Sequence, residues 1–111
     1  MKRLMLFIVL YAVAAASVIA APRTPASAIV HLKDDAFTPP SIVVPLNTTV
    51  TFVNDDDDAH TVTSTDGLFD SKGLDSHQRW THTFTKAGTY QYFCTLHPFM
   101  KGTVVVKGAH S

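Results

Sequence analysis

Residues 90–100 read YQYFCTLHPFM, and this stretch contains the only cysteine of the chain, Cys94. Two residues separate Cys94 from His97, and two more separate His97 from Met100. A thiolate, an imidazole and a thioether therefore lie on one short loop, and these soft or borderline donors favour copper over calcium, magnesium or manganese. A trigonal copper site needs a second imidazole, and the upstream His60 is the candidate that we expect to supply it.

The segments on either side of this loop favour β-strands. Large and hydroxylated side chains alternate over residues 79–85, and residues 48–53 are rich in valine, threonine and phenylalanine. Turn-forming residues separate such segments, and no helical period is evident beyond the N-terminal leader. The pattern predicts an all-β fold, an antiparallel Greek-key β-sandwich of about seven or eight strands. The predicted strands are residues 29–33, 41–44, 48–53, 60–64, 68–70, 79–85, 89–93 and 102–107.

The N-terminus has the three-part layout of a secretory signal peptide. Lys2 and Arg3 precede an apolar run that ends near Val13, and small residues follow. An uncleaved membrane anchor is the alternative, since the apolar run approaches the ~20 residues that span a bilayer. The alanine-rich second half of the run disfavours this alternative, so no stable membrane insertion is expected after cleavage. The candidate cleavage points follow Ala20, Ala21 and Ala28.

We predict a signal peptide at 1–20, a flexible N-terminal segment at 21–28 and a single domain at 29–108. The leader carries two of the nine basic residues, which leaves seven against nine aspartates and a formal charge of −2. This charge excludes a nucleic-acid binder. An exported, periplasmic monomer is expected. A lone thiol in that oxidising space is a liability unless something holds it, and bound copper would do so.

Residues 87–102 match the pattern A-G-T-Y-x-Y-x-C-T-x-H-P-F-M-x-G almost throughout, and on these residues the chain resembles a cupredoxin, or type 1 blue copper protein. The resemblance is closest to the branch that contains amicyanin, pseudoazurin and plastocyanin. It implies a cupredoxin-like sandwich that holds one type 1 copper ion. The implied ligands are His60 as the buried imidazole, Cys94 as the equatorial thiolate, His97 as the exposed imidazole and Met100 as the weak axial ligand.

The chain departs from the family pattern beside the first histidine. Ala59 and Thr61 stand where the family usually has proline and asparagine. The family asparagine ties the two ligand loops together through its side chain, and the Thr61 hydroxyl either replaces this tie or leaves it unmade. The Thr61 N–H could still reach the Cys94 sulfur. Leu96 also replaces a proline of amicyanin, which loosens the ligand loop slightly.

The resemblance implies an electron carrier that is not an enzyme and that cycles copper between Cu(II) and Cu(I). Its expected partners are redox proteins, such as a c-type cytochrome or a dehydrogenase, that dock around His97, Pro98 and Phe99. The alternative function is a periplasmic copper buffer or copper-delivery protein with the same ligands. The run Asp55–Asp58 is expected to form a solvated loop and lacks the spacing of a calcium loop. Near the copper end, it would steer a cationic partner.

Two of the predicted ligand residues also have a purely structural interpretation. Cys94 could be a buried structural thiol, and Met100 could be a core residue rather than an axial ligand, because methionine commonly fills cores. His82 alternates with Trp80 and Phe84, so we expect it to be a partly buried strand residue rather than a ligand.

Overall fold

The computed structural model describes residues 5, 8–12 and 26–108. Most of the predicted signal peptide and part of the segment 21–28 lie outside these residues. Within the described part of the chain no helix is long and apolar enough to span a membrane. The strands are β1 (Ser27–Lys33), β2 (Ala36–Thr38), β3 (Ser41–Pro45), β4 (Thr48–Asn54), β5 (Thr63–Ser64), β6 (Arg79–Phe84), β7 (Gly88–Phe93) and β8 (Lys101–Lys107).

These eight strands form two four-stranded sheets, in the orders β2-β1-β4-β6 and β3-β8-β7-β5. Every connection from β2 to β7 passes from one sheet to the other, and the predicted Greek-key β-sandwich is confirmed. The expectation of a wholly antiparallel arrangement was wrong, because β1 pairs with β4 and β3 pairs with β8 in parallel. A hairpin must reverse the chain, whereas a path through the opposite sheet can return in either direction.

Strand β4 shows how the alternation in the sequence builds the sandwich. Val50 and Phe52 are buried, while Thr49 and Thr51, which alternate with them, are only partly buried. The strand follows a turn in which Asn47 has a φ of 66°, and asparagine tolerates this left-handed region better than most residues. The period of two therefore places one face of β4 in the core.

Aromatic rings fill the space between the two sheets next to the ligand loop. Tyr92 of β7 makes edge-to-face contacts with Phe37 at 4.8 Å and with Phe52 at 5.4 Å between ring centroids. Phe37 is itself buried. Burial of a large apolar side chain contributes about 1.5–3 kcal/mol. This packing anchors the end of β7 that leads into Cys94.

Several strands differ from those predicted, and β2 lies in a segment where no strand was predicted. β1 begins at Ser27, so two residues of the segment predicted to be flexible pair with β4. The strand predicted at 60–64 is reduced to β5, and the strand predicted at 68–70 is absent apart from an isolated bridge between Thr63 and Asp70. The Ser64 hydroxyl accepts hydrogen bonds from the N–H groups of Leu68 and Phe69, which therefore turn rather than form a ladder.

Candidate metal centre

The connection between β7 and β8 is a tight loop that its own backbone closes. The Cys94 N–H donates a hydrogen bond to the Met100 carbonyl at 3.1 Å, and the Met100 N–H donates to the His97 carbonyl at 2.8 Å. The side chains of Cys94 and Met100 are buried in the core, whereas His97 is partly exposed. The loop therefore holds two predicted ligands inside the protein and presents the third at its surface.

His60 reaches the same end of the sandwich from the connection between β4 and β5. Its backbone exchanges two hydrogen bonds with Leu74, from the His60 N–H at 3.1 Å and to the His60 carbonyl at 2.8 Å. The His60 side chain is fully buried. An isolated bridge rather than a strand thus fixes this histidine in position.

Three donor atoms of these residues converge in a triangle. The Nδ1 atoms of His60 and His97 lie 3.1 Å apart, and each lies 3.8 Å from the Cys94 Sγ. One point lies about 2.1 Å from all three atoms, close to the ~2.0–2.3 Å of metal–nitrogen and metal–sulfur bonds in proteins. The triangle therefore has the size of a trigonal site with two nitrogen ligands and one sulfur ligand.

The surroundings of the Cys94 sulfur favour the thiolate that binds metal. The Thr61 N–H donates a hydrogen bond to Sγ at 3.3 Å. Burial alone would raise the pKa of the Cys94 thiol, but hydrogen bonds from Thr61, His97 and His60 outweigh burial and lower the pKa to about 7. A substantial fraction of the thiol is therefore ionised at neutral pH.

Thr61 also ties the two ligand loops together, which settles the choice that the sequence left open. Its hydroxyl accepts a hydrogen bond from the Thr95 N–H at 2.9 Å and lies 3.2 Å from the Thr95 hydroxyl. The side chain therefore connects the residue after His60 to the residue after Cys94. A threonine here provides the cross-link that the resemblance assigned to asparagine.

The acidic loop contributes a residue that the sequence analysis missed. The expectation of a wholly solvated run was wrong for Asp56, whose side chain is 14% exposed and whose Oδ2 lies 2.9 Å from the His60 Nε2. Burial alone would raise the pKa of Asp56, but hydrogen bonds from the Asp35 N–H, His60 and the Asp34 N–H lower it. The available signal was an acidic residue four positions before the candidate histidine.

The rest of the aspartate cluster lies at the surface beside the histidines. Five aspartates line a shallow pocket, and carboxylate oxygens of Asp35 and Asp58 lie within 4.8 Å of each other and of a ring nitrogen of His97. Burial alone would lower the pKa of His60, but its hydrogen bonds with Asp56 and Cys94 outweigh burial and raise the pKa above its usual value. The lining residues are Asp34, Asp35, Asp56, Asp57 and Asp58.

A family model described as the cupredoxin-like domain matches residues 3–106. The chain belongs to the cupredoxin family. This cupredoxin is 34% identical over 95 residues to the amicyanin of Paracoccus versutus, an alignment that covers 80% of this chain and 72% of the relative. The matches confirm the resemblance on which the sequence interpretation depends.

Two solved structures have folds similar to that of this cupredoxin. It aligns with the Cu(I) form of an amicyanin variant at a TM-score of 0.70 and 33% identity, over 79% of this chain and 88% of the other. It aligns with a Cu-containing nitrite reductase from Thermus scotoductus SA-01 at a TM-score of 0.71 and 32% identity, over 81% of this chain but only 24% of the reductase. The similarity to amicyanin therefore covers nearly the whole relative, whereas the similarity to the reductase covers one part of it.

The donor chemistry of this cupredoxin fits a copper ion. Two imidazoles and one thiolate in a triangle are the equatorial set of a blue-copper site, and a methionine is its usual distant axial partner. Met100 is available for this part, since it lies buried on the same loop as Cys94 and His97. A calcium or magnesium ion would instead select carboxylate and carbonyl oxygens.

Proposed function

We propose that this protein is an exported, periplasmic, monomeric electron carrier whose single type 1 copper ion is held by His60, Cys94, His97 and Met100. The observation that carries the proposal is the triangle of two imidazole nitrogens and one cysteine sulfur at one end of the sandwich. Bound copper would supply one-electron chemistry between Cu(II) and Cu(I) at this point.

The protein's own contribution is to fix the positions of the donor atoms. The bridge with Leu74 fixes His60, the backbone hydrogen bonds of the loop fix Cys94, and the Thr61 hydroxyl joins the two segments. A site that changes little between the two oxidation states needs little reorganisation during electron transfer. These constraints support a carrier, whose ligands are set in advance by packing and second-layer hydrogen bonds.

The burial of the site supports a carrier over an enzyme. His60, Cys94 and Met100 are buried, so only the edge of His97 connects the donor atoms to solvent. A substrate that bound the metal would need an open position, as catalytic metal sites provide. Electrons, in contrast, can leave through the partly exposed imidazole without displacing a ligand.

The surface around His97 supports docking of a redox partner. Leu96 is 56% exposed and Phe99 is 68% exposed, and Pro98 between His97 and Phe99 is exposed as well. The Phe99 ring lies 6.0 Å from the His97 ring between centroids. An apolar collar around the exit of the electron favours a short-lived complex with a redox protein, such as a c-type cytochrome or a dehydrogenase.

Copper loading tests the proposal directly. The purified protein should bind one copper ion and show the intense blue absorption and narrow copper hyperfine splitting that cysteine–copper bonding produces. Cys94→Ser should lose the blue absorption, because a serine hydroxyl cannot replace the thiolate, whereas Thr51→Ser on β4 should retain it. A colourless copper complex, or a blue Cys94→Ser variant, would contradict the proposal.

The acidic pocket beside His97 favours a second candidate, a copper buffer or copper-delivery protein. Aspartates at the mouth of the site would concentrate cations there. The two functions differ in metal exchange. A carrier retains its copper against a chelator during rapid redox cycling, whereas a delivery protein transfers Cu(I) to an acceptor within the same time.

A further inference from the structure

The four consecutive aspartates differ in where their side chains point. Asp57 and Asp58 are exposed, as a charged run predicts, but Asp56 turns inward and retains 14% of its side-chain exposure. Transfer of a carboxylate out of water is costly unless hydrogen bonds replace the lost hydration. The contacts of Asp56 must therefore supply that replacement.

Both oxygens of Asp56 accept hydrogen bonds from groups outside the run Asp55–Asp58. The turn between β1 and β2 directs two successive N–H groups at the carboxylate, from Asp34 to Oδ1 at 2.8 Å and from Asp35 to Oδ2 at 3.0 Å. Both turn residues have positive φ, at 53° and 56°. The third partner is the His60 Nε2, 2.9 Å from Oδ2. Asp56 thus links the turn to the buried histidine.

The backbone of Asp56 is held as firmly as its side chain. Its N–H donates to the Asn54 Oδ1 at 3.0 Å, and Asn54 is itself fully buried. The Asn54 Nδ2 donates to the carbonyls of Asp58 at 2.8 Å and Leu74 at 2.9 Å. Leu74 is also the bridge partner of His60, so one network fixes the carboxylate and the imidazole relative to each other.

This geometry assigns the proton of the neutral His60 ring. An ionised carboxylate only accepts hydrogen bonds, so the Nε2 atom that faces Asp56 must carry the N–H. The Nδ1 atom then keeps its lone pair, and this is the atom that faces the Cys94 sulfur and His97. Asp56 therefore selects the tautomer that can bind metal through Nδ1.

We propose that Asp56 is a positioning residue that holds His60 in its Nε2–H tautomer and lowers the reduction potential of the copper site. The inference rests on the copper site proposed above. A carboxylate hydrogen-bonded to the far nitrogen makes the imidazole a stronger donor, and its negative charge favours Cu(II) over Cu(I). Asp35 is a weaker partner, since its Oδ1 lies 3.5 Å from Nε2 and its side chain is 46% exposed.

The test compares Asp56→Asn with Asp57→Asn, both loaded with copper. Each substitution removes one negative charge from the same loop, but only the first removes it from the partner of His60. Loss of such a partner typically lowers metal affinity by roughly 10–100-fold. We expect Asp56→Asn to lose about tenfold more Cu(II) affinity than Cu(I) affinity, which raises the midpoint potential by about 59 mV. Asp57→Asn should shift the potential much less.

The outcomes separate this inference from the proposed function. A blue wild-type protein whose potential is raised in Asp56→Asn, and much less in Asp57→Asn, supports the role of Asp56. If the wild-type protein is blue and both substitutions shift the potential equally, or neither shifts it, that role is overturned and the proposed carrier function stands. A wild-type protein that forms no blue copper site would instead contradict the proposed function.

A measurement on the wild-type protein covers the case in which Asp56→Asn does not fold. Nitrogen-15 NMR of the metal-free protein distinguishes a protonated from an unprotonated ring nitrogen. A proton-bearing Nε2 and a lone-pair Nδ1 on neutral His60 support the assignment. A neutral His60 ring with its proton on Nδ1 overturns it, because Asp56 could not then accept a hydrogen bond from the ring.

Discussion

Thr61 shows how one small side chain can stabilise a metal centre assembled from distant segments. Its backbone N–H contacts the Cys94 sulfur, and its hydroxyl accepts a hydrogen bond from the Thr95 N–H. Thr61 is buried and its hydrogen bond with Thr95 is partly buried, so water replaces the hydroxyl poorly when it is removed. An unsatisfied partly buried donor costs about 1–3 kcal/mol.

Thr61→Val should therefore reduce the free energy of unfolding of the metal-free protein by about 1–3 kcal/mol. The shape of the side chain is retained, and the acceptor for the Thr95 N–H is lost. Thr61→Ser is the matched control, because it retains the hydroxyl and should remain closer to the wild type. Urea unfolding of the three proteins decides the question, and equal losses in both variants would show that the hydroxyl does not carry the effect.

The pairing of β7 with β8 depends on Gly102, which lies against the ring of Tyr92 in the aromatic core. Gly102 pairs with Tyr92 across the two strands, and a Cβ atom on Gly102 would overlap the Tyr92 ring. Packed cores absorb extra methyl groups only through side-chain and backbone shifts that cost about 1–3 kcal/mol. β8 directly follows the ligand loop, so such a shift would also displace Met100.

Gly102→Ala should destabilise the metal-free protein by at least about 1–3 kcal/mol in chemical unfolding. Gly73→Ala is the matched control, since a Cβ atom there would meet no heavy atom within 4 Å. The control should therefore leave stability nearly unchanged. A Gly102→Ala protein as stable as the control would mean that Tyr92 can move aside without loss.

The elements that were predictable from sequence are those whose pattern is local. Alternation marks β4 and β6, and the order of donors from Cys94 to Met100 marks the ligand loop. The extent of strand around His60 was not predictable, because its place is set by a bridge to Leu74. The inward orientation of the Asp56 side chain was not predictable either, because the N–H groups that hydrogen-bond to it come from a turn some 20 residues upstream.

At the scale of the whole molecule, negative charge gathers at the end of the sandwich that holds the donor triangle. The pocket of five aspartates adjoins His60 and His97, and the exposed apolar residues Leu96, Pro98 and Phe99 flank His97 in the ligand loop. Hydrogen bonds from the protein occupy Asp56, which leaves the exposed aspartates free to act on a partner. A protein with a basic face would meet complementary charge around an apolar contact.

The rate of electron transfer to a basic cytochrome c should therefore fall as salt is added, because the Debye length shortens to about 10 Å at 0.1 M ionic strength. Replacement of Asp57 and Asp58 by asparagine should lower the bimolecular rate constant at low salt and flatten its salt dependence. Asp66→Asn is the control, since this exposed residue lies in the turn that follows β5. Stopped-flow kinetics over a range of salt concentrations measure all three proteins. A wild-type rate that does not respond to salt, or a doubly substituted protein that matches the Asp66→Asn control, would show that the collar alone determines docking.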